Sequence, residues 1–282
     1  MRVVDFHTHI FPDSLRDRHR PLGDDPVYTA LYTDPKAKMV GAEELIAAMD
    51  AAGVDVAVAL NVGWRMPRLC AEVNDYIMQA AARYPDRLLG FCTVNPRFPG
   101  EALAELERCY AGGLRGLGEL RPDDQGFDLG DAEVMRPIVR WCLDRGWPLL
   151  THASEPVGHT YPGKGSVTPD MLYRFASAFP DVTFVCAHWG GGLPFYALMP
   201  EVAAVLANTY FDTAASRFLY REEVFLHVSR LVGVEKVLFG TDYPLIGHKR
   251  YLRAVHGLGL AEEQKALILG GNASRLLGLP DA

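Results

Sequence analysis

The chain has 282 residues, 49% of them hydrophobic and 22% charged, a composition that excludes disorder and predicts a globular protein with ample core material. Its length suits one α/β barrel, which takes about 250 residues, or two small domains. The formal net charge of -7 disfavours non-specific attraction to nucleic acid or an anionic membrane, so a small-molecule substrate is the expected partner.

The stretch Val4-Asp5-Phe6-His7-Thr8-His9 reads as a short buried strand. Alternate strand side chains point to opposite faces, which puts Asp5, His7 and His9 on one face and Phe6 and Thr8 on the other. Two imidazoles then meet at one strand end, where a pair spaced by two can reach a single ion. No basic segment followed by an apolar one precedes this strand, and no apolar run approaches 18 residues. These features predict a cytoplasmic location. Residues 10 to 41, rich in Pro, Asp and Arg, read as a long loop. Acidic residues open a helix over 42 to 52, Gly53 stops it, and a strand follows over 54 to 60.

The same cycle recurs to the end of the chain. Helices are expected near 68 to 84, 100 to 111, 131 to 145, 168 to 178, 193 to 206, 221 to 232 and 261 to 277. Strands are expected over 88 to 94, 114 to 120, 147 to 152, 182 to 188, 208 to 213 and 236 to 241. Short turns such as Pro85-Asp86, Gly112-Gly113 and Pro180-Asp181 lead into the strands. Eight strands alternating with eight helices predict a parallel sheet closed as a (β/α)₈ TIM barrel, a single domain spanning residues 1 to 282. An open doubly wound sheet is the alternative, weakened because no phosphate-binding glycine loop follows any strand and Gly190-Gly191-Gly192 lacks the spacing. Segments leaving strands (10 to 41, 121 to 130, 153 to 167, 243 to 260) are longer than those entering them. In barrel enzymes that side carries the active site. Five widely spaced cysteines in apolar or helical segments, Cys70, Cys92, Cys109, Cys142 and Cys186, read as buried thiols.

On this assignment the strand ends carry His7 and His9, Glu119, His152, His188 and, just past the last strand, Asp242. Each alone is explained by packing or a turn. Together, six such side chains at one mouth point to a divalent metal.

The runs Val4 to Pro12, Leu150-Thr151-His152-Ala153, Cys186-Ala187-His188-Trp189-Gly190-Gly191, Leu238 to Pro244 and Asn272 to Leu277 resemble the amidohydrolase superfamily. They are most similar to its amidohydrolase-2 branch of metal-dependent hydrolases and decarboxylases, and the match covers essentially the whole chain. The resemblance implies that His7, His9, His152 and Asp242 bind one divalent ion, usually Zn²⁺. It makes His188 either a catalytic base or a further ligand. Glu119 departs from many members of that branch. TatD-type relatives carry a Glu at the end of strand four that helps to hold two metals, so Glu119 reads either as a ligand or as a hydrogen-bonding partner of a ligand histidine.

A zinc-type ion with an open position lowers the pKa of bound water from ~15.7 to ~7 and polarises a carbonyl. Asp242 then shuttles the proton and His188 assists. Arg217 and Trp189 are candidate substrate contacts, Arg for its fit to carboxylates, and Arg121 has a similar claim. His159 reads as a solvated loop residue. The leading expectation is a hydrolase of a small amide, lactone or ester. The alternative is non-oxidative decarboxylation of an aromatic or enol acid with nearly the same ligands. A TatD-like nuclease and a non-catalytic metal-binding barrel rank lower. The oligomeric state, including a homo-oligomer, stays open.

Overall fold

The computed structural model describes residues 2–17 and 25–280. Part of the expected 10 to 41 loop therefore lies outside the described residues. Eight strands alternate with helices: β1 (Val4–His9), β2 (Val56–Leu60), β3 (Leu88–Gly90), β4 (Leu117–Leu120), β5 (Leu149–Thr151), β6 (Phe184–Cys186), β7 (Thr209–Asp212) and β8 (Val237–Leu238). Neighbours pair in parallel within β1 to β3 and within β4 to β8. Parallel bridges Cys92 to Leu117 and Thr8 to Tyr243 join the two arcs at both seams. Backbone bonds from Phe6 N to Phe239 O (2.7 Å) and from Asp242 N to His7 O (2.9 Å) complete the ring. This is the expected (β/α)₈ barrel, not the open sheet.

Strands buried on both faces need apolar residues at every position, and β2, Val-Ala-Val-Ala-Leu, is buried throughout. One set of alternating positions, including Val4, Phe6, Val58, Phe91, Leu150, Val185 and Leu238, packs into one cluster. The other set, including Ala57, Leu117, Leu149, Phe184, Phe211 and Val237, packs with helix residues such as Leu45, Ile77, Leu106, Ile138 and Val228. The helix expected near 131 to 145 starts and stops as the sequence suggests. Asp131 accepts from Glu133 N and Val134 N ahead of helix Ala132–Arg145, and Gly146, at φ 64°, ends it.

Four expectations change. The register of β1 against β2 breaks between Asp5 and Thr8. The simple alternation that grouped Asp5 with His7 and His9 therefore fails. Asp5 instead accepts from Thr241 N and Oγ1, at 3.0 and 2.5 Å, and sits beside His248. The helix expected over 193 to 206 forms only over Pro200–Val205, because Trp189 to Gly192 all have positive φ and Pro194 interrupts the next turn. The exit loop after β8 contains an unexpected helix, His248–His256, which buries His248, Tyr251, Leu252 and Val255. Two short helices, Asp13–Arg16 and Pro26–Leu31, occupy the described parts of the first exit loop.

The final helix is interrupted by a wider π turn at Leu267–Gly271. A Cβ on Gly270 would lie 2.0 Å from Arg2 O, so glycine is what admits this close approach to the start of the chain. The five cysteines are buried free thiols. Among the described residues no helix is long and apolar enough to cross a membrane.

Candidate active site

The ends of the strands bring all six expected donors to one mouth. They form two adjacent triads, His7 with His9 and Asp242, and Glu119 with His152 and His188. His7 Nε2 and His9 Nε2 stand 3.0 Å apart, and Asp242 Oδ1 is 3.0 Å from His9 Nε2 and 3.9 Å from His7 Nε2. Glu119 lies between the triads: Oε1 is 2.9 Å from His152 Nδ1 and 3.5 Å from His188 Nε2, and Oε2 is 3.9 Å from both His7 Nε2 and His9 Nε2. All but Asp242 are at least nine-tenths buried.

The chain reaches this geometry through local backbone devices. His188 and Asp242 both adopt left-handed φ, 55° and 64°, a region that non-glycine residues occupy only when their surroundings hold them there. Asp212, at the end of β7, supplies much of the hold on His188. Its Oδ1 accepts from His188 N (2.9 Å) and Ala214 N (3.0 Å), and its Oδ2 accepts from His7 Nδ1 at 2.7 Å. Behind His188, a Cβ on Gly191 would lie 2.2 Å from Ser154 O, so the β5 and β6 exits approach backbone to backbone. Asp212 was not among the sequence candidates. Its one signal was an acidic residue ending an otherwise apolar strand.

This arrangement suits a divalent cation. Asp212 accepts a hydrogen bond from His7 Nδ1 and leaves Nε2 as the atom facing the mouth. Two imidazole nitrogens at 3.0 Å, with a carboxylate oxygen at the same distance, need a proton or a cation among them. Ligands held tetrahedrally at zinc-like bond lengths sit about 3.3 Å apart, within the spread observed here.

The charges tell the same story. Burial opposes protonation of His7, but the carboxylates of Asp212, Glu119 and Asp242 override it and raise its pKa to about 10. Burial disfavours ionised Asp242, yet His9, His7 and His188 hold its carboxyl well below the usual range. Burial likewise opposes the Glu119 carboxylate, and hydrogen bonding to His152 and His188 brings its pKa well down. His152 is lowered, by burial and then by the charge of Arg121. Ionised carboxylates that favour positive charge on a neighbouring imidazole would favour a cation in its place.

A cavity of about 510 Å³ opens above the donors. Its walls include Leu31, Val62, Phe218 and Leu245, with Arg121, His159 and Tyr161 among its polar groups. Trp189 and Arg217 do not line it. The indole of Trp189 is fully buried, donates from Nε1 to Ser216 Oγ at 2.6 Å and meets Phe225 edge-on at 4.9 Å. It follows His188 in the same left-handed turn, which carries its ring behind the site, so it braces the β7 exit and does not reach a substrate there. Arg217 points aside, 3.8 Å from Glu222, while its neighbours Ala215, Phe218 and Leu219 form the wall. Arg121, which has a similar claim from sequence, and His159, expected as a solvated loop residue, do line the cavity.

A family model described as amidohydrolase, of the amidohydrolase-2 type, matches residues 4–279. The chain is 24% identical to a 2-amino-3-carboxymuconate-6-semialdehyde decarboxylase of Dictyostelium discoideum, over 98% of this chain and 91% of that one. It is 22% identical to a gamma-resorcylate decarboxylase of Rhizobium radiobacter, over 85% of this chain and 84% of that protein. The crystal structure of a 5-carboxyvanillate decarboxylase of Novosphingobium aromaticivorans, complexed with manganese and a nitrobenzoic acid, superposes with a TM-score of 0.77 at 18% identity, covering 99% of this chain and 96% of that one. These relatives are decarboxylases, not hydrolases. They favour the alternative drawn from the sequence over its leading expectation, and manganese in the structural neighbour does not single out zinc.

Proposed function

The chain belongs to the amidohydrolase family, in its amidohydrolase-2 branch, and from that premise we propose that it is a metal-dependent, non-oxidative decarboxylase of a small aromatic or enolic acid. The observation that carries this reading is His188. Its Nδ1 lies 3.1 Å from Ala214 O, to which it donates, so Nε2 is directed into the donor set that lines the cavity, 3.5 Å from Glu119 Oε1 and 3.2 Å from His152 Nδ1. The activity of the curated relatives supports the choice of decarboxylation over hydrolysis.

His7, His9 and Asp242 would hold the ion, with His152 completing the set as the family pattern implies and Glu119 facing it from between the triads. A divalent cation there supplies Lewis acidity toward a carboxylate and a neighbouring oxygen. The remaining work falls to side chains. Asp212 fixes the His7 tautomer, and the apolar walls exclude water from the reacting carbon. When His188 is an imidazolium, one proton is committed to Ala214 O and the other, on Nε2, lies beside Glu119 Oε1. As the bond to the carboxyl carbon breaks, CO₂ leaves with no change in oxidation state overall. The electron pair left on carbon takes the Nε2 proton, and His188 becomes neutral until solvent reprotonates it.

Protein reconstituted with Mn²⁺ or Zn²⁺ is expected to release CO₂ from hydroxybenzoic or enolic acids. Acid production from lactones or amides, with no CO₂ from any acid tested, would replace this reading with hydrolysis.

A further inference from the structure

We infer that Arg121 is a specificity-determining residue that binds a second carboxylate on the substrate, so that the natural substrate class is a dicarboxylic acid that loses only one of its acid groups. This rests on the decarboxylase reading above and deepens it. Arg121 follows Glu119 by two residues on the β4 exit, and both line the cavity. The same short segment thus offers one side chain to the donor set and one to the chamber above it.

The arginine is fixed before any ligand arrives. It is only 5% exposed, and its backbone N donates to Gln125 Oε1 at 3.0 Å. Its Nε donates to Asp124 Oδ2 at 2.8 Å, and Nη2 donates to Gly163 O at 3.1 Å on the opposing loop. Nη1 has no partner among the described residues. A buried guanidinium with part of its planar fork uncommitted, on a cavity wall, offers what a carboxylate takes up in a paired, charge-assisted contact. Asp124 accepts from the opposite edge and so orients the fork without covering it.

Other cations share the chamber. Lys36, Lys38 and His159 also line the cavity, with Asp34 opposing them and the carboxylates of Glu119 and Asp242 belonging to the donor set. Neither lysine side chain has an ion pair among the described residues. Arg121 lines the same cavity as His152 and Glu119, so the guanidinium shares its chamber with the donor set. The apolar stretch of wall suits the carbon frame between two acid groups.

The test uses isophthalate and benzoate as unreactive probes, titrated into the metal-loaded protein by calorimetry. Isophthalate is expected to bind about 10-fold or more tightly than benzoate, a difference of one good charge-assisted contact. In Arg121→Ala the ratio of the two dissociation constants should fall toward one. Arg121→Lys keeps the charge but loses the fork, provides the measurement should the alanine variant not fold, and is expected to lose most of the preference. Equal binding of the two probes to the wild type, or an unchanged ratio in a folded variant, would overturn the inference. Steady-state rates with a hydroxyisophthalic acid then separate the two readings. An isophthalate preference without CO₂ release would leave the anion pocket standing and sink the decarboxylase.

Discussion

Asp212 is fully buried and lies outside the cavity wall, yet two of the six donors depend on it through His7 Nδ1 and His188 N. Asp212→Asn keeps the shape and removes the charge. Metal affinity is expected to fall about 10- to 100-fold, the usual consequence of losing a carboxylate behind a ligand histidine. Metal-buffer titration reads it directly, and an unchanged affinity would demote Asp212 to a loop brace. A second comparison sets His7→Ala combined with His9→Ala against His188→Asn. Elemental analysis should find the double variant metal-free. The single variant should keep its ion while losing about 10²-fold or more in rate. Loss of metal from His188→Asn would make that residue a ligand and contradict its role as proton donor. The six donors were legible because strand ends can be located by periodicity, and residues at strand ends in a barrel converge. Asp212 was not, since its partners are a histidine 205 residues away and two backbone amides. Trp189 was misread for a related reason. Two successive left-handed residues reverse the direction that strand alternation would have given its ring.

Elements that follow simple periodicity were readable, and those bent by glycine or proline were not. The helix His248–His256 did carry a signal, with buried residues at positions 248, 251, 252 and 255, the spacing of one helical face. It was hidden by the Gly and Pro residues that flank it. Between elements, Glu105 on helix Pro99–Ala111 accepts from Arg108 (Nε, 2.9 Å) and from Asn74 on helix Pro67–Arg83 (2.8 Å). Burial opposes its ionisation, but Arg108 and Asn74 outweigh burial and lower its pKa. A depressed carboxyl contributes stability that is present above the unfolded pKa, near pH 4.3, and is lost as pH falls through the folded value. Denaturant titrations at pH 7 and pH 3 should therefore show a smaller acid loss in Glu105→Gln than in the wild type. An identical loss would mean that Glu105 is not part of the acid response.

At the scale of the molecule, the donor set spans the barrel seam, with His7 and His9 on β1 and Asp242 just past β8. An ion bound there ties the two ends of the sheet. A ligand held at a thousand times its Kd contributes about 4 kcal/mol, and each kcal/mol moves Tm by about 2–4 °C in a chain of this size. Chelation should accordingly lower Tm by about 10 °C within one calorimetric transition. Two resolved transitions would contradict a single domain, and no shift would contradict a seam ligand. The closed ring also has a consequence in time. Thr241 meets Asp5 across 236 residues of sequence, and the next residue, Asp242, stands 3.0 Å from His9. A nascent chain that has emitted seven strands already carries His7, His9, Glu119, His152 and His188 but cannot assemble the mouth. Activity thus reports that translation has passed the final strand and that the newest segment has found the oldest.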